Sequence, residues 1–195
     1  MKTADVLKEF EEAGALQKGH FVLSSGLHSD TYLNKSIVSM HPPRTERLCR
    51  ALAGKIRAAF GPDIDYVVSP AMGAIIYGYE TARHLGVPFM FVERVEGRFA
   101  LRRGFSLEKG ARVAVVEDIV STGLSARECV EAVRALGAEV VGLGCLIDRS
   151  DGTADVGAPL VALAALKVEA WPADALPDRL KAIPAVKPGS RGVSQ

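Results

Sequence analysis

The densest chemistry in the sequence lies in one run, VAVVEDIVSTGLS, from Val113 to Ser125. Its apolar opening reads as a buried strand, and two adjacent carboxylates, Glu117 and Asp118, follow at the strand's carboxyl end. Open α/β sheets bind their ligands at that edge. Ile119 and Val120 lead into Ser121-Thr122-Gly123-Leu124-Ser125, where a helix opens. Unpaired backbone N–H groups there, with three hydroxyls, form a cradle for a phosphate monoester, and Gly123 permits close backbone approach. The acids would repel a phosphate in the same cradle. They suit a neutral donor such as a ribose 2′,3′-diol, or a divalent metal held through water. Ser and Thr alone would do no more than cap a helix. The full order of strand, acid, acid, turn, hydroxyls and glycine fits a ribose 5-phosphate.

Elements around this run must hold it in place. Residues 2–14 put Val6, Leu7 and Phe10 at helical spacing and stop at Gly14. FVLSSGLHSDTYLN reads as a hairpin. After Pro42-Pro43, residues 44–60 are helical, with Leu48, Leu52, Ile56 and Phe60 four apart on one face. Apolar runs at Tyr66–Val68, Val87–Val92, Val113–Val116, Val140–Ile147 and Leu160–Leu166 then alternate with helices at 74–85 and after Gly123 as far as Leu136. Continuous apolar strands between helices predict an α/β fold, a mostly parallel central sheet flanked by helices, with a small N-terminal addition. One domain over 1–195 is expected, with the addition over about 1–40, a core over about 41–170 and a tail over about 171–195. The last stretch, KPGSRGVSQ, is expected to be poorly ordered in isolation.

Composition narrows the class. Of 195 residues 48% are hydrophobic and 24% charged, which excludes collagen, coiled coil and wholesale disorder. The formal charge of +1 lacks the basic excess of a nucleic-acid binder, so no nucleic-acid partner is expected. No apolar run reaches the roughly 18 residues of a membrane span, and the first residues do not form a secretion signal, so a cytoplasmic protein without membrane contact is expected. Cys49, Cys129 and Cys145 form no CxxC pair and read as small buried hydrophobes. GxxxxGK[ST], GxGxxG after a strand, GxSxG and HExxH are all missing, and His84 reads as a structural residue on a helix.

VVEDIVSTGLSA resembles the phosphoribosyl-pyrophosphate (PRPP) signature of the type I phosphoribosyltransferases. GHFVLSSGLHSDTYLNK, SPAMGAI, FVERVEGRFALRRGF, LIDR and PAVKPGSRG are similar, in that order from Gly19 to Gly192, to blocks of the orotate phosphoribosyltransferases. The resemblance implies the type I phosphoribosyltransferase fold with an N-terminal hood. It also implies transfer of ribose 5-phosphate from PRPP to orotate, giving orotidine 5′-monophosphate and pyrophosphate, a step of pyrimidine biosynthesis. By the same resemblance Glu117 and Asp118 hold the ribose hydroxyls, and Ile119, Val120, Ser121, Thr122, Gly123, Leu124 and Ser125 form the nucleotide-binding run. Ala71, Met72 and Gly73 belong to a pyrophosphate loop, an ordinary strand-to-helix turn if read without the resemblance. Ser25, Gly26 and Tyr32 lie in the hood over the base, and Ser121 and Arg149 match positions that contact orotate. A guanidinium fork suits the orotate carboxylate. Read alone, Arg149 is a surface residue paired with Asp148 or Asp151.

Arg94, Arg98, Arg102 and Arg103 crowd the segment 94–105, which Gly97 and Gly104 interrupt. Charge runs of this kind are ordinarily a solvated loop or β-ribbon. The alternative is a mobile lid that sets cations on a departing pyrophosphate, with Arg94, Arg98 and Asp118 as the catalytic set. In the family the loop reaches a neighbouring active site, which implies a homodimer. Mg²⁺ is the implied cofactor, held mainly by PRPP or pyrophosphate and water and by no direct protein ligand. The chain departs from the family in four places, one being the loop's usual lysine and histidine, which are not reproduced, with Arg98 the candidate replacement for the lysine. Ser24 stands where many members have a lysine before the hood's Ser-Gly, Gly73 replaces a common loop lysine, and Arg94-Val95 replaces an Arg-Lys pair.

Overall fold

The computed structural model describes residues 1–23 and 25–188. Helix α1 (Thr3–Glu12) leads into strands β1 (Leu16–Val22) and β2 (His28–Leu33), which pair antiparallel, as the hairpin pattern predicts. A short helix α2 (Lys35–Ser39), too brief for a periodic signal, precedes α3 (Pro42–Phe60). Pro42 and Pro43 begin α3 and do not merely punctuate the chain. Their fixed φ suits a first helical turn, whose N–H groups have no partner within the helix.

Strand β3 (Tyr66–Pro70), helix α4 (Ile75–Leu85) and strands β4 (Phe89–Val95) and β5 (Arg98–Leu101) follow. Then come β6 (Arg112–Val120), α5 (Leu124–Ala135), β7 (Glu139–Asp148) and β8 (Leu160–Ala165). A short 3₁₀ turn and α6 (Asp178–Lys181) lie near the end of the described chain. The main sheet runs β5-β4-β3-β6-β7-β8, parallel except for the β4–β5 hairpin at one edge. This is the predicted α/β architecture. No helix among the described residues is long and apolar enough to cross a membrane.

Two apolar layers cover the sheet. α1, α3 and α4 close one face around Leu48, Leu52, Ile56 and Tyr77, all fully buried. α5 closes the other through Cys129, Val130 and Val133. α3 sits close to β7 because that strand offers glycines: a Cβ on Gly142 would fall 2.2 Å from the Phe60 ring. α4 approaches β3 by the same device, since a Cβ on Gly78 would fall 2.0 Å from Ser69 Oγ. All three cysteines are free and buried, as expected, and burial pushes the Cys49 thiol up to about 12.

The hairpin β1–β2 does not stand alone. Phe21 bridges to Val186 and His28 to Trp171, so the segment after residue 170 forms part of the N-terminal addition. Arg179 stacks over the Trp171 ring and pairs with Asp30, closing this union from the outside. Ser24 and residues 189–195 lie outside the described residues, and with them the expectation for the tail beyond Pro188 and the hood position before Ser25.

Candidate active site

Strand β6 runs past the expected boundary at Val116 to Val120, because β7 continues to pair with it through Ile119 and Val120. Glu117 and Asp118 therefore lie inside the strand's last turn of pairing and not beyond it. Side chains alternate along a strand. Glu117 follows Val113 and Val115 to the α5 side, while Asp118 follows Ala114 and Val116 to the side of α3 and α4. Both are buried, Asp118 with only 1% exposure. Glu117 Oε1 accepts the Asp118 N–H and Asp118 Oδ1 accepts the Ile119 N–H. Desolvation first, and the Asp118 charge second, push the Glu117 carboxyl up to about 8, while the Lys35 ammonium pulls the other way.

After Val120 the chain turns through Ser121, Thr122 and Gly123 into α5. Gly123 takes φ +81°, and a Cβ there would lie 3.2 Å from the Asp155 carbonyl, so the turn needs glycine on both counts. Ser121, Thr122 and Ser125 are exposed. Among the described residues no hydrogen bond engages the backbone N–H groups of Ser121, Thr122, Gly123 or Ser125. An open nest of donors at a helix start is an anion site.

Ala71, Met72 and Gly73 join β3 to α4, with Met72 80% exposed and the Ala71–Met72 peptide cis. The Ala71 N–H donates to the Val92 carbonyl, which fixes the start of this loop on β4. Gly73 lies against Asp118: a Cβ there would fall 2.4 Å from Asp118 Oδ2 and 2.7 Å from Lys35 Nζ. The loop and the end of β6 thus share one floor. Lys35 is the member of this site that sequence reasoning missed. It opens α2 with its carbonyl held by the Tyr77 hydroxyl at 2.6 Å, and its ammonium forms an ion pair with Asp118 Oδ2. Its signal in the sequence was slight, a lone lysine directly after the hairpin opposite a loop that carries glycine.

Arg149 stands just past β7, and its N–H donates to the Val120 carbonyl at 2.8 Å, beside Ser121. Its expected surface pairing is not formed. Asp148 accepts from the Ser150 N–H and hydroxyl, and Asp151 pairs with Lys167. The Arg149 guanidinium is half-buried, its Nε has no partner among the described residues, and desolvation lowers its pKa. Ser25, Gly26 and Tyr32 lie on the β1–β2 hairpin, Tyr32 packed 5.6 Å from the Phe21 ring and Gly26 at φ +83° in the tip. No described hydrogen bond joins these three to Arg149 or to the turn at Ser121.

The segment 94–105 takes the ribbon form. Arg94 is the penultimate residue of β4, and Arg98 opens β5 across a turn at Glu96-Gly97. Arg94 lies over the Phe99 ring, 4.2 Å from its centre, and donates to the Gly97 carbonyl. Arg102 and Arg103 pair with Glu93. Arg98 is exposed and forms no ion pair among the described residues. His84 Nε2 lies 3.1 Å from Glu80 Oε1, one turn back on α4, a structural place.

A parallel sheet that brings a carboxylate pair, a donor nest and a second turn to one edge defines a class of nucleotide-handling α/β protein. A family model described as a phosphoribosyl transferase domain matches residues 39–175. The chain is 64% identical over 191 residues to the orotate phosphoribosyltransferase of Phenylobacterium zucineum, covering 98% of each chain. It is 59% identical over 194 residues to that of Parvibaculum lavamentivorans, covering 100% of both. Its fold matches the crystal structure of orotate phosphoribosyltransferase from Aeropyrum pernix with a TM-score of 0.68 at 26% identity, over 83% of this chain and 93% of that one. The chain belongs to the phosphoribosyl transferase family and, within it, to the orotate phosphoribosyltransferases.

Proposed function

We propose that this protein transfers ribose 5-phosphate from PRPP to orotate, releasing orotidine 5′-monophosphate and pyrophosphate. The observation that carries the reading is a half-buried Arg149, its Nε without a partner among the described residues, whose backbone N–H is held on the Val120 carbonyl next to the open N–H nest at Ser121. A planar orotate carboxylate matches a guanidinium fork, and the nest matches a 5′-phosphate.

In this reading, within the nucleotide-binding run from Ile119 to Ser125, the open N–H groups of Ser121, Thr122, Gly123 and Ser125 hold the phosphate, and Glu117 and Asp118 accept from the ribose hydroxyls. Ala71, Met72 and Gly73 line the pyrophosphate. Ser121 and Arg149 take orotate, covered by Ser25, Gly26 and Tyr32. Displacement at the anomeric carbon needs no covalent nucleophile, in keeping with cysteine thiols that are buried and raised far above neutrality. Catalysis then rests on holding donor and acceptor in line and on cations set against the leaving group by Arg94 and Arg98.

The donor set suits a metal that arrives on its substrate. Asp118 Oδ2 faces the Lys35 ammonium and Asp118 Oδ1 accepts a backbone N–H, so neither oxygen is free for a metal. Neutralisation of charge on the leaving group is the chemistry Mg²⁺ would supply when carried in by the pyrophosphate and water.

A homodimer is supported by the exposed apolar side chains Met72, Ile76 and Tyr79 beside a cavity of about 330 Å³ that Ile76 and Tyr79 line. Free buried cysteines suit a reducing cytoplasm. The reaction is tested by following loss of orotate absorbance with PRPP and Mg²⁺, with adenine, guanine, hypoxanthine and uracil as parallel acceptors. Orotate loss with equal pyrophosphate release is the expected result. Turnover of another base overturns the acceptor, and no turnover with any base, alongside PRPP binding, leaves a PRPP-sensing regulator.

A further inference from the structure

Lys35 lies outside every role assigned above, yet its side chain fills the space over Gly73 together with Asp118 Oδ2. Its ammonium pairs with a carboxylate that is almost wholly buried, while its own side chain is 39% exposed toward the loop. The backbone beneath it is fixed by the buried Tyr77 side chain, whose hydroxyl donates to the Lys35 carbonyl, so the stem starts from a rigid point. Gly73 has no side chain to compete, and the same spot is within 2.7 Å of Nζ. An ammonium has three donors, and one carboxylate oxygen occupies only one of them.

We infer that Lys35 is the cation that receives the pyrophosphate group of PRPP at the 71–73 loop, bridging it to Asp118. This rests on the phosphoribosyl transfer proposed above. When the donor enters, the remaining Nζ donors meet its pyrophosphate oxygens while Asp118 turns its free capacity to a ribose hydroxyl. A purely structural counter-ion to Asp118 would behave differently: its loss would disturb every ligand that has a ribose.

The test is calorimetric titration, in Mg²⁺, of PRPP, pyrophosphate and orotidine 5′-monophosphate into the wild-type protein, Lys35→Gln and Lys35→Arg. Expected is a loss of at least tenfold in affinity for PRPP and pyrophosphate in Lys35→Gln, with orotidine 5′-monophosphate changed no more than about threefold. Lys35→Arg, which keeps the charge, should retain most of the pyrophosphate affinity and covers the case in which the glutamine variant does not fold. Equal weakening of all three ligands, or none, overturns the bridge and leaves the transfer reading intact. Wild-type protein that binds neither PRPP nor pyrophosphate overturns both.

Discussion

Arg94 Nη2 lies 2.5 Å from Glu128 Oε2, which fastens the β4–β5 hairpin to the helix that begins at the phosphate nest. Two parts of the proposed site with no sequence proximity are thereby joined by a pair of exposed side chains. Such a pair contributes only about 0–1 kcal/mol to folding, so it can yield when a more highly charged partner arrives.

Arg94→Ala and Arg98→Ala should accordingly lower kcat by about tenfold or more while shifting unfolding free energy by less than about 1 kcal/mol. Steady-state kinetics beside urea melts would show it. Normal turnover in both variants would remove the hairpin from the chemistry.

Arg149→Met should raise the KM for orotate by about tenfold to a hundredfold, the worth of a charge-assisted hydrogen bond, and leave the KM for PRPP within about twofold. Folding should not suffer, because the substitution takes away a buried nitrogen that has no partner among the described residues. A loss shared equally between the two substrates would place Arg149 outside the acceptor site.

Glu117 gives the protein a pH signature. Its carboxyl is raised in the folded state to about 8, above the usual carboxylate range of the unfolded chain. The folded state therefore holds a proton that the unfolded state has released, and stability falls as pH rises from about 4.5 toward 8, then levels off. Glu117→Gln should flatten that slope between pH 5 and 9 in thermal melts (both limits approximate, from the same linkage) and weaken nucleotide binding mainly above about pH 8, where the wild-type carboxyl is ionised and accepts a ribose hydroxyl more strongly than the amide. An unchanged slope would assign the dependence to another group.

Gly78→Ala should destabilise the fold by about 1–3 kcal/mol, the scale of an overpacked core. The new methyl would meet Ser69 Oγ and the Phe89 ring, 2.0 and 2.5 Å away. Ser69 is fixed by its hydrogen bond to the Val116 carbonyl and cannot easily retreat. Because Ser69 directly precedes Pro70 and the 71–73 loop, pyrophosphate affinity should fall along with stability.

Apolar runs at Val67, Val115 and Leu143 were legible as strands because parallel strands covered on both faces carry a continuous hydrophobic signal. The cradle was legible because its acids, hydroxyls and glycine are contiguous. Lys35 was not, because its meeting with Asp118 spans 83 positions and depends on Gly73 from a third segment. Nor was the freedom of Arg149, since Asp148 and Asp151 both lie within two residues and only the fold shows each engaged elsewhere. The strand end at Val120 was hidden by the two acids, whose burial depends on β7 alongside.

The bridges from His28 to Trp171 and from Phe21 to Val186 have a consequence for the order of events during synthesis. The hairpin is translated ahead of the main sheet, and the residues that brace it follow β8, with about 140 positions of separation between His28 and Trp171. On the ribosome the phosphate nest and the sheet can form while the acceptor side remains open. On the proposed roles, a chain cut beyond β8 would keep the candidate phosphate nest while its β1–β2 hairpin lacked the braces at Trp171 and Val186.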